Sequence, residues 1–146
     1  MTPDLEALAS SVVASPRWRW MPGMRAFLPA MGEMRGLAYR VPEGPTLIEA
    51  APNDGWWPDL TDPATLGCLL ALVREAWGRP AIVVVPGLSP DPAGHRWYIQ
   101  DNPPNTASGY EPTLRTDGTF SALSASAEVS APTEASALVA ALLAAP

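Results

Sequence analysis

The chain has 146 residues and a formal net charge of −6, which fits one acidic domain of ordinary size. Its hydrophobic content of 47% excludes a disordered chain, and its acidic balance argues against general nucleic-acid binding. The single cysteine, Cys68, excludes an intrachain disulfide framework and fits a reducing cytosol.

The N-terminal stretch and the apolar runs bear on localisation. Residues 1–6 carry acidic side chains where a signal peptide carries basic ones. No apolar run approaches the roughly 18 residues that a membrane-spanning helix needs. We therefore expect a cytoplasmic protein that makes no membrane contact.

The first third of the chain predicts one helix followed by short strands. Residues 2–14 place Leu5, Leu8 and Val12 at helical spacing, and Pro16 ends the pattern. Residues 17–60 are divided by Pro and Gly into short apolar stretches, which predict two or three strands in a meander. These stretches are 26–28, 37–41 and 46–50.

The central segment predicts a second helix at residues 62–77. Asp62 suits the N-cap, Pro63 suits the first helical position, and Gly78 is a C-terminal stop. We expect its apolar face to pack on a sheet. That face consists of Leu66, Leu69, Leu70, Val73 and Trp77.

The last part of the chain predicts more strands and a final helix. Residues 81–85 form a buried-strand run, residues 95–100 a further strand, and residues 113–127 one more with a turn at 117–118. The loop 101–109 is a candidate mobile lid or partner-contact loop. Residues 132–145 predict a helix.

These elements together predict an α/β fold of the α+β kind. We expect residues 1–146 to form a single domain, in which a small, mostly antiparallel sheet carries about three helices.

Three stretches carry a resemblance to known proteins: PRWRWMPGMR at 16–25, PDLTDPATLGCLLALVREAWG at 58–78 and PTEASALVAAL at 132–142. On these the chain resembles small uncharacterised proteins encoded by bacteriophages and prophages of GC-rich bacteria, and is similar in layout to the phage α-β-α sandwich domain. The resemblance implies an accessory gene of a mobile element and a host bacterial cytosol. It implies no catalytic residues.

The residues that usually carry catalysis are sparse. His95 is the only histidine, Cys68 has no base near it in sequence, and the acidic residues show no metal-ligand spacing. No glycine-rich phosphate loop is present. We therefore predict that the protein is not an enzyme and that it has no cofactor, no metal and no catalytic residue.

Tryptophan and arginine stand out instead. There are six tryptophans, and all nine basic residues are arginine, which reflects either GC-rich codon usage or selection for anion contacts. Indole rings stack on bases and guanidinium groups bind phosphate, although tryptophans also fill cores. The candidate ligand-binding residues are Trp18, Arg19, Trp20, Arg25, Trp56, Trp57, Arg96, Trp97 and Tyr98.

Two functional hypotheses follow. In the first, the protein is a phage accessory protein that sequesters a small anionic aromatic ligand, such as a nucleotide immune signal, as a counter-defence. In the second, it inhibits a host defence protein, in an anti-CRISPR-like manner, through an acidic surface around Glu43, Glu49, Asp54 and Asp59. A homo-oligomer is compatible with either hypothesis.

Overall fold

The fold was analysed in a computed structural model that describes residues 3–28, 38–43, 55–87, 96–101, 113–115, 120–121 and 130–146. The predicted strand at 46–50, the turn at 117–118, most of the loop 101–109 and His95 lie outside these residues. The chain divides into two compact units, Met1–Cys68 and Leu69–Pro146.

Three helices and two antiparallel sheets make up the described part of the chain, which confirms the predicted α+β class. The strands form two sheets where one was expected. The elements are α1 (Pro3–Val13), β1 (Arg25–Phe27), β2 (Ala38–Arg40), β3 (Trp57–Pro58), α2 (Pro63–Trp77), β4 (Ile82–Gly87), β5 (Arg96–Asp101), β6 (Thr113–Leu114), β7 (Phe120–Ser121), β8 (Ser130–Ala131) and α3 (Glu134–Leu143).

The first unit holds a three-stranded sheet in the order β2-β1-β3. β1 pairs with β2, as the predicted meander requires of its first two strands, and β3 pairs with the other edge of β1 but lies outside the three predicted stretches. Pro58 lies in an edge strand of this sheet, where a missing N–H costs no ladder hydrogen bond. Helix α1 packs against β3, and its Ala9 and Val12 are buried.

Both ends of α2 follow the prediction. Asp62 is the N-cap, because its Oδ2 accepts a hydrogen bond of 2.9 Å from the Thr65 N–H. At the other end Gly78 has a φ of 62°, the left-handed conformation that glycine adopts without strain. The N–H groups of Gly78 and Arg79 bond to the carbonyls of Glu75 and Arg74, which is a Schellman motif.

The buried stripe of α2 differs from the predicted one. Leu69, Leu72 and Val73 are buried, whereas Leu66, Leu70 and Trp77 are half-buried. Thr65 is also fully buried, and its Oγ1 accepts a hydrogen bond of 2.8 Å from the Arg25 N–H. Positions 65, 69, 72 and 73 lie on one face, so the helix is rotated toward Leu72 and away from Leu70.

The second unit holds a sheet in the order β4-β5-β6-β7, with β8 also paired to β5. β4 and β5 lie at the predicted strands. β4 is less buried than its apolar run suggested, since Ile82 is its only fully buried residue. The reason is that β4 lies at the end of the strand order. The predicted stretch 113–127 contains two short strands, β6 and β7.

Helix α3 confirms the predicted final helix and packs on β4 and β5. Thr133 and Ser136 form a capping box at its start. Small side chains at Ala137 and Ala141 are buried, which allows the helix backbone to approach the strands closely. Within the described ranges, no helix is long and apolar enough to cross a membrane.

Candidate ligand-binding surface

The register of the first sheet decides which side chains share a face. Phe27 pairs with Trp57, whereas Ala26 pairs with Tyr39 and Pro58. Paired residues in an antiparallel sheet share a face, and successive residues alternate. Ala26 and Pro58 are buried, so their face is the inner one. Phe27 and Trp57 lie on the opposite face, which we call the outer face.

The outer face combines an aromatic pair with two arginines. The Phe27 and Trp57 rings lie 6.1 Å apart between centroids at 82°, an edge-to-face contact, and both residues are half-buried. Arg25 lies two residues before Phe27 and pairs with Arg40 across β1 and β2. The outer face therefore has an aromatic row, Phe27 and Trp57, next to a basic row, Arg25 and Arg40.

Two aspartates compensate the arginine pair. Like charges directly opposite one another destabilise a sheet. Arg25 Nη1 lies 3.5 Å from Asp59 Oδ2, and Arg40 Nη2 lies 2.8 Å from Asp62 Oδ1. The arginine side chains remain 47% and 52% exposed, against 13% and 9% for the two aspartates. The guanidinium groups therefore reach solvent, while the carboxylates lie beneath them.

The carboxylates are held in place by the start of α2. Asp59 Oδ1 accepts hydrogen bonds from the Thr61 N–H at 3.0 Å and the Thr61 hydroxyl at 2.6 Å. Asp62 accepts from Thr65 and from Arg40, and the Arg40 hydrogen bond lowers the pKa of Asp62 below its ordinary value. Both carboxylates are fixed partners of the basic row.

The adjacent tryptophans point to opposite faces. The Trp56 ring contacts Tyr39, an inner-face residue, at 6.2 Å between centroids. Trp57 contacts Phe27 on the outer face. Of this predicted pair, only Trp57 belongs to the surface that also holds Arg25.

Trp18 and Trp20 form a separate aromatic pair. They lie in the irregular segment between α1 and β1, where their rings contact edge-to-face at 5.3 Å, and Arg19 between them is exposed. The indole Nε1 of Trp18 is buried and has no hydrogen-bond partner among the residues that the structure describes. The contact between the two rings therefore arises in an irregular segment and not on a strand.

The second unit contains the remaining predicted residues. Arg96, Trp97 and Tyr98 are successive residues of β5, so Trp97 faces the side of the buried Ile99 while Arg96 and Tyr98 face the other. The Tyr98 ring lies over Gly87, where a Cβ would overlap it. This triplet therefore does not form one surface.

Two residues of the outer face, Phe27 and Arg40, were missed by sequence reasoning. The alternation of Arg25 and Phe27 along β1 was the available signal. Arg40 joins them only through the pairing of β1 with β2, because 14 residues lie between Arg25 and Arg40 in sequence.

Comparison with models of protein families, with curated proteins and with solved structures found no match. Over the described residues, no three His, Cys, Asp or Glu side chains are grouped so that they could hold a metal ion. Burial raises the pKa of the Cys68 thiol, whose Sγ lies 3.5 Å from the Pro22 carbonyl oxygen.

Proposed function

We propose that this protein binds a small anionic aromatic ligand of the nucleotide type and catalyses no reaction on it. The observation that carries the proposal is the presence of the Phe27–Trp57 ring pair and the Arg25 guanidinium on one face of one sheet. Aromatic rings supply stacking area, and guanidinium supplies charge-assisted hydrogen bonds to phosphate.

The spacing of these groups suits a mononucleotide. Arg25 and Phe27 are two residues apart on β1, and two residues of a strand span about 6.6 Å. In a mononucleotide, the sugar places the base and the phosphate a similar distance apart. A base stacked on the aromatic row would therefore bring its phosphate to the basic row.

The biological role that we attach to this binding is sequestration. A phage accessory protein in the cytoplasm of a bacterial host would lower the free concentration of a nucleotide immune signal by holding it. Counter-defence by sequestration requires a high affinity for the signal and an abundant binding protein, and it requires no catalytic turnover. We take this setting from the resemblance of residues 16–25, 58–78 and 132–142 to phage and prophage proteins.

The adjacent residues Trp56 and Trp57 allow a matched test, in which calorimetry measures the affinity of each variant for linear and cyclic nucleotides. Trp57→Ala should weaken binding by about 1–3 kcal/mol, the contribution of one base–aromatic stack. Trp56→Ala removes the same side chain from the inner face and should leave the affinity of the folded protein unchanged. Circular dichroism checks the fold of both variants, and Trp57→Phe, which keeps a ring, should retain most of the binding.

The inhibitor hypothesis is the competing outcome of the same experiment. Of the acidic residues assigned to its docking surface, Glu43 is exposed and Asp59 is paired with Arg25, while Glu49 and Asp54 lie outside the described residues. If no nucleotide binds below millimolar concentration and the protein co-purifies with one host protein, the ligand-binding proposal is wrong.

A further inference from the structure

The two guanidinium groups of the outer face are not equivalent. Arg40 bonds to both carboxylate oxygens of Asp62, at 2.8 and 3.4 Å, and to the Gly23 carbonyl oxygen. Arg25 makes one side-chain ion pair in the described part of the chain, at 3.5 Å to Asp59, which is long for a hydrogen bond. Arg25 therefore keeps open donors, whereas Arg40 is largely occupied.

The charge of the basic row is also balanced. Two guanidinium groups, Arg25 and Arg40, face two carboxylates, Asp59 and Asp62, which gives a net charge of zero. The whole chain carries −6. One negative group can replace the weak Asp59 contact at Arg25. Each further negative charge on the ligand is repelled by the two fixed carboxylates and by the net negative charge of the protein. No second guanidinium with open donors is available to bind it on the described part of the outer face.

We infer that the outer face selects planar aromatic ligands with a single negative charge, namely phosphodiesters or carboxylates, and disfavours polyphosphates. This inference rests on the proposed function. It assigns Arg25 as the residue that senses the ligand's charge and Asp59 as the residue that limits it. The aromatic row contributes the part of the affinity that does not depend on charge.

Calorimetry with adenosine, cyclic AMP and ATP separates the charge states while keeping the base. Cyclic AMP should bind about tenfold more tightly than adenosine, since a hydrogen bond to a charged group contributes at least that much. ATP should bind more weakly than cyclic AMP, and the difference should shrink at high salt because the repulsion is screened. Indole-3-carboxylate serves as the carboxylate probe, and its binding relative to neutral indole distinguishes carboxylate from phosphodiester recognition.

Three variants connect these preferences to the named residues. Arg25→Gln should abolish the preference for cyclic AMP over adenosine, and Arg25→Lys should restore part of it. Asp59→Asn should improve ATP binding more than cyclic AMP binding. The inference is wrong if ATP binds the wild-type protein as tightly as cyclic AMP, or if Arg25→Gln leaves the preference unchanged. If adenosine, cyclic AMP and ATP all fail to bind, the proposed function fails with it.

Discussion

Asp62 serves two purposes at one carboxylate, because it caps α2 and pairs with Arg40. Asn caps helices as well as Asp does, so Asp62→Asn removes the charge and keeps the cap. Asp62→Ala removes both and should cost about a further 1 kcal/mol of unfolding free energy. Comparing the two variants separates the cap from the ion pair.

The charge of Asp62 also predicts a pH dependence. Its pKa is lowered in the folded protein, so the folded state binds this proton less readily than the unfolded state does. The stabilisation is complete above the ordinary aspartate pKa and is lost as the pH falls through the lower, folded value. In urea denaturation from pH 7 to pH 2, the stability difference between wild type and Asp62→Asn should shrink at the acidic end. A constant difference across this range would contradict the assigned role.

Alanine substitutions at Gly87 and Gly67 are expected to change the free energy of unfolding in opposite directions. A Cβ at Gly87 would overlap the Tyr98 ring, so Gly87→Ala should destabilise the protein by about 1–3 kcal/mol. A Cβ at Gly67, inside α2, meets nothing within 4 Å, so Gly67→Ala should stabilise by up to about 1 kcal/mol. Urea denaturation measures both. Equal effects would mean that Tyr98 does not lie over Gly87 in solution.

At the scale of elements, the rotation of α2 can be tested by two neighbouring leucines. Leu69 is fully buried and Leu70 is half-buried. Leu69→Ala should cost about 2–5 kcal/mol, and Leu70→Ala less than half as much. Equal costs, measured by urea denaturation, would favour the stripe expected from sequence.

The elements also show what sequence patterns can and cannot predict. The ends of α2 were predictable because Asp62, Pro63 and Gly78 act locally, through capping and backbone conformation. Its buried face was not, because burial depends on contacts that are distant in sequence, such as the hydrogen bond between Thr65 and Arg25, 40 residues apart. A cap needs only its own turn of helix, whereas the orientation of a helix is decided by its partners.

At the scale of the whole molecule, the α+β class was predictable and the candidate site only in part. Arg25 and Trp57 were both candidates from residue chemistry. That they share a face follows from the register of β1 and β3, which a single sequence does not specify for strands this short. The same register places Trp56 on the inner face, although its residue chemistry is identical.

The central claim is that Trp57 and Arg25 bind one ligand together, and side-chain NMR tests it most directly. Cyclic AMP would be titrated into ¹⁵N-labelled protein while the indole and arginine Nε–H signals are followed, with Trp57→Phe and Arg25→Lys for assignment. Trp77 is the internal control, because its indole N–H donates to the Ala141 carbonyl oxygen at 2.9 Å. If Trp57 and Arg25 bind one ligand together, their signals shift with one common Kd while the Trp77 signal stays. Unmoved Trp57 and Arg25 signals at millimolar ligand would contradict it.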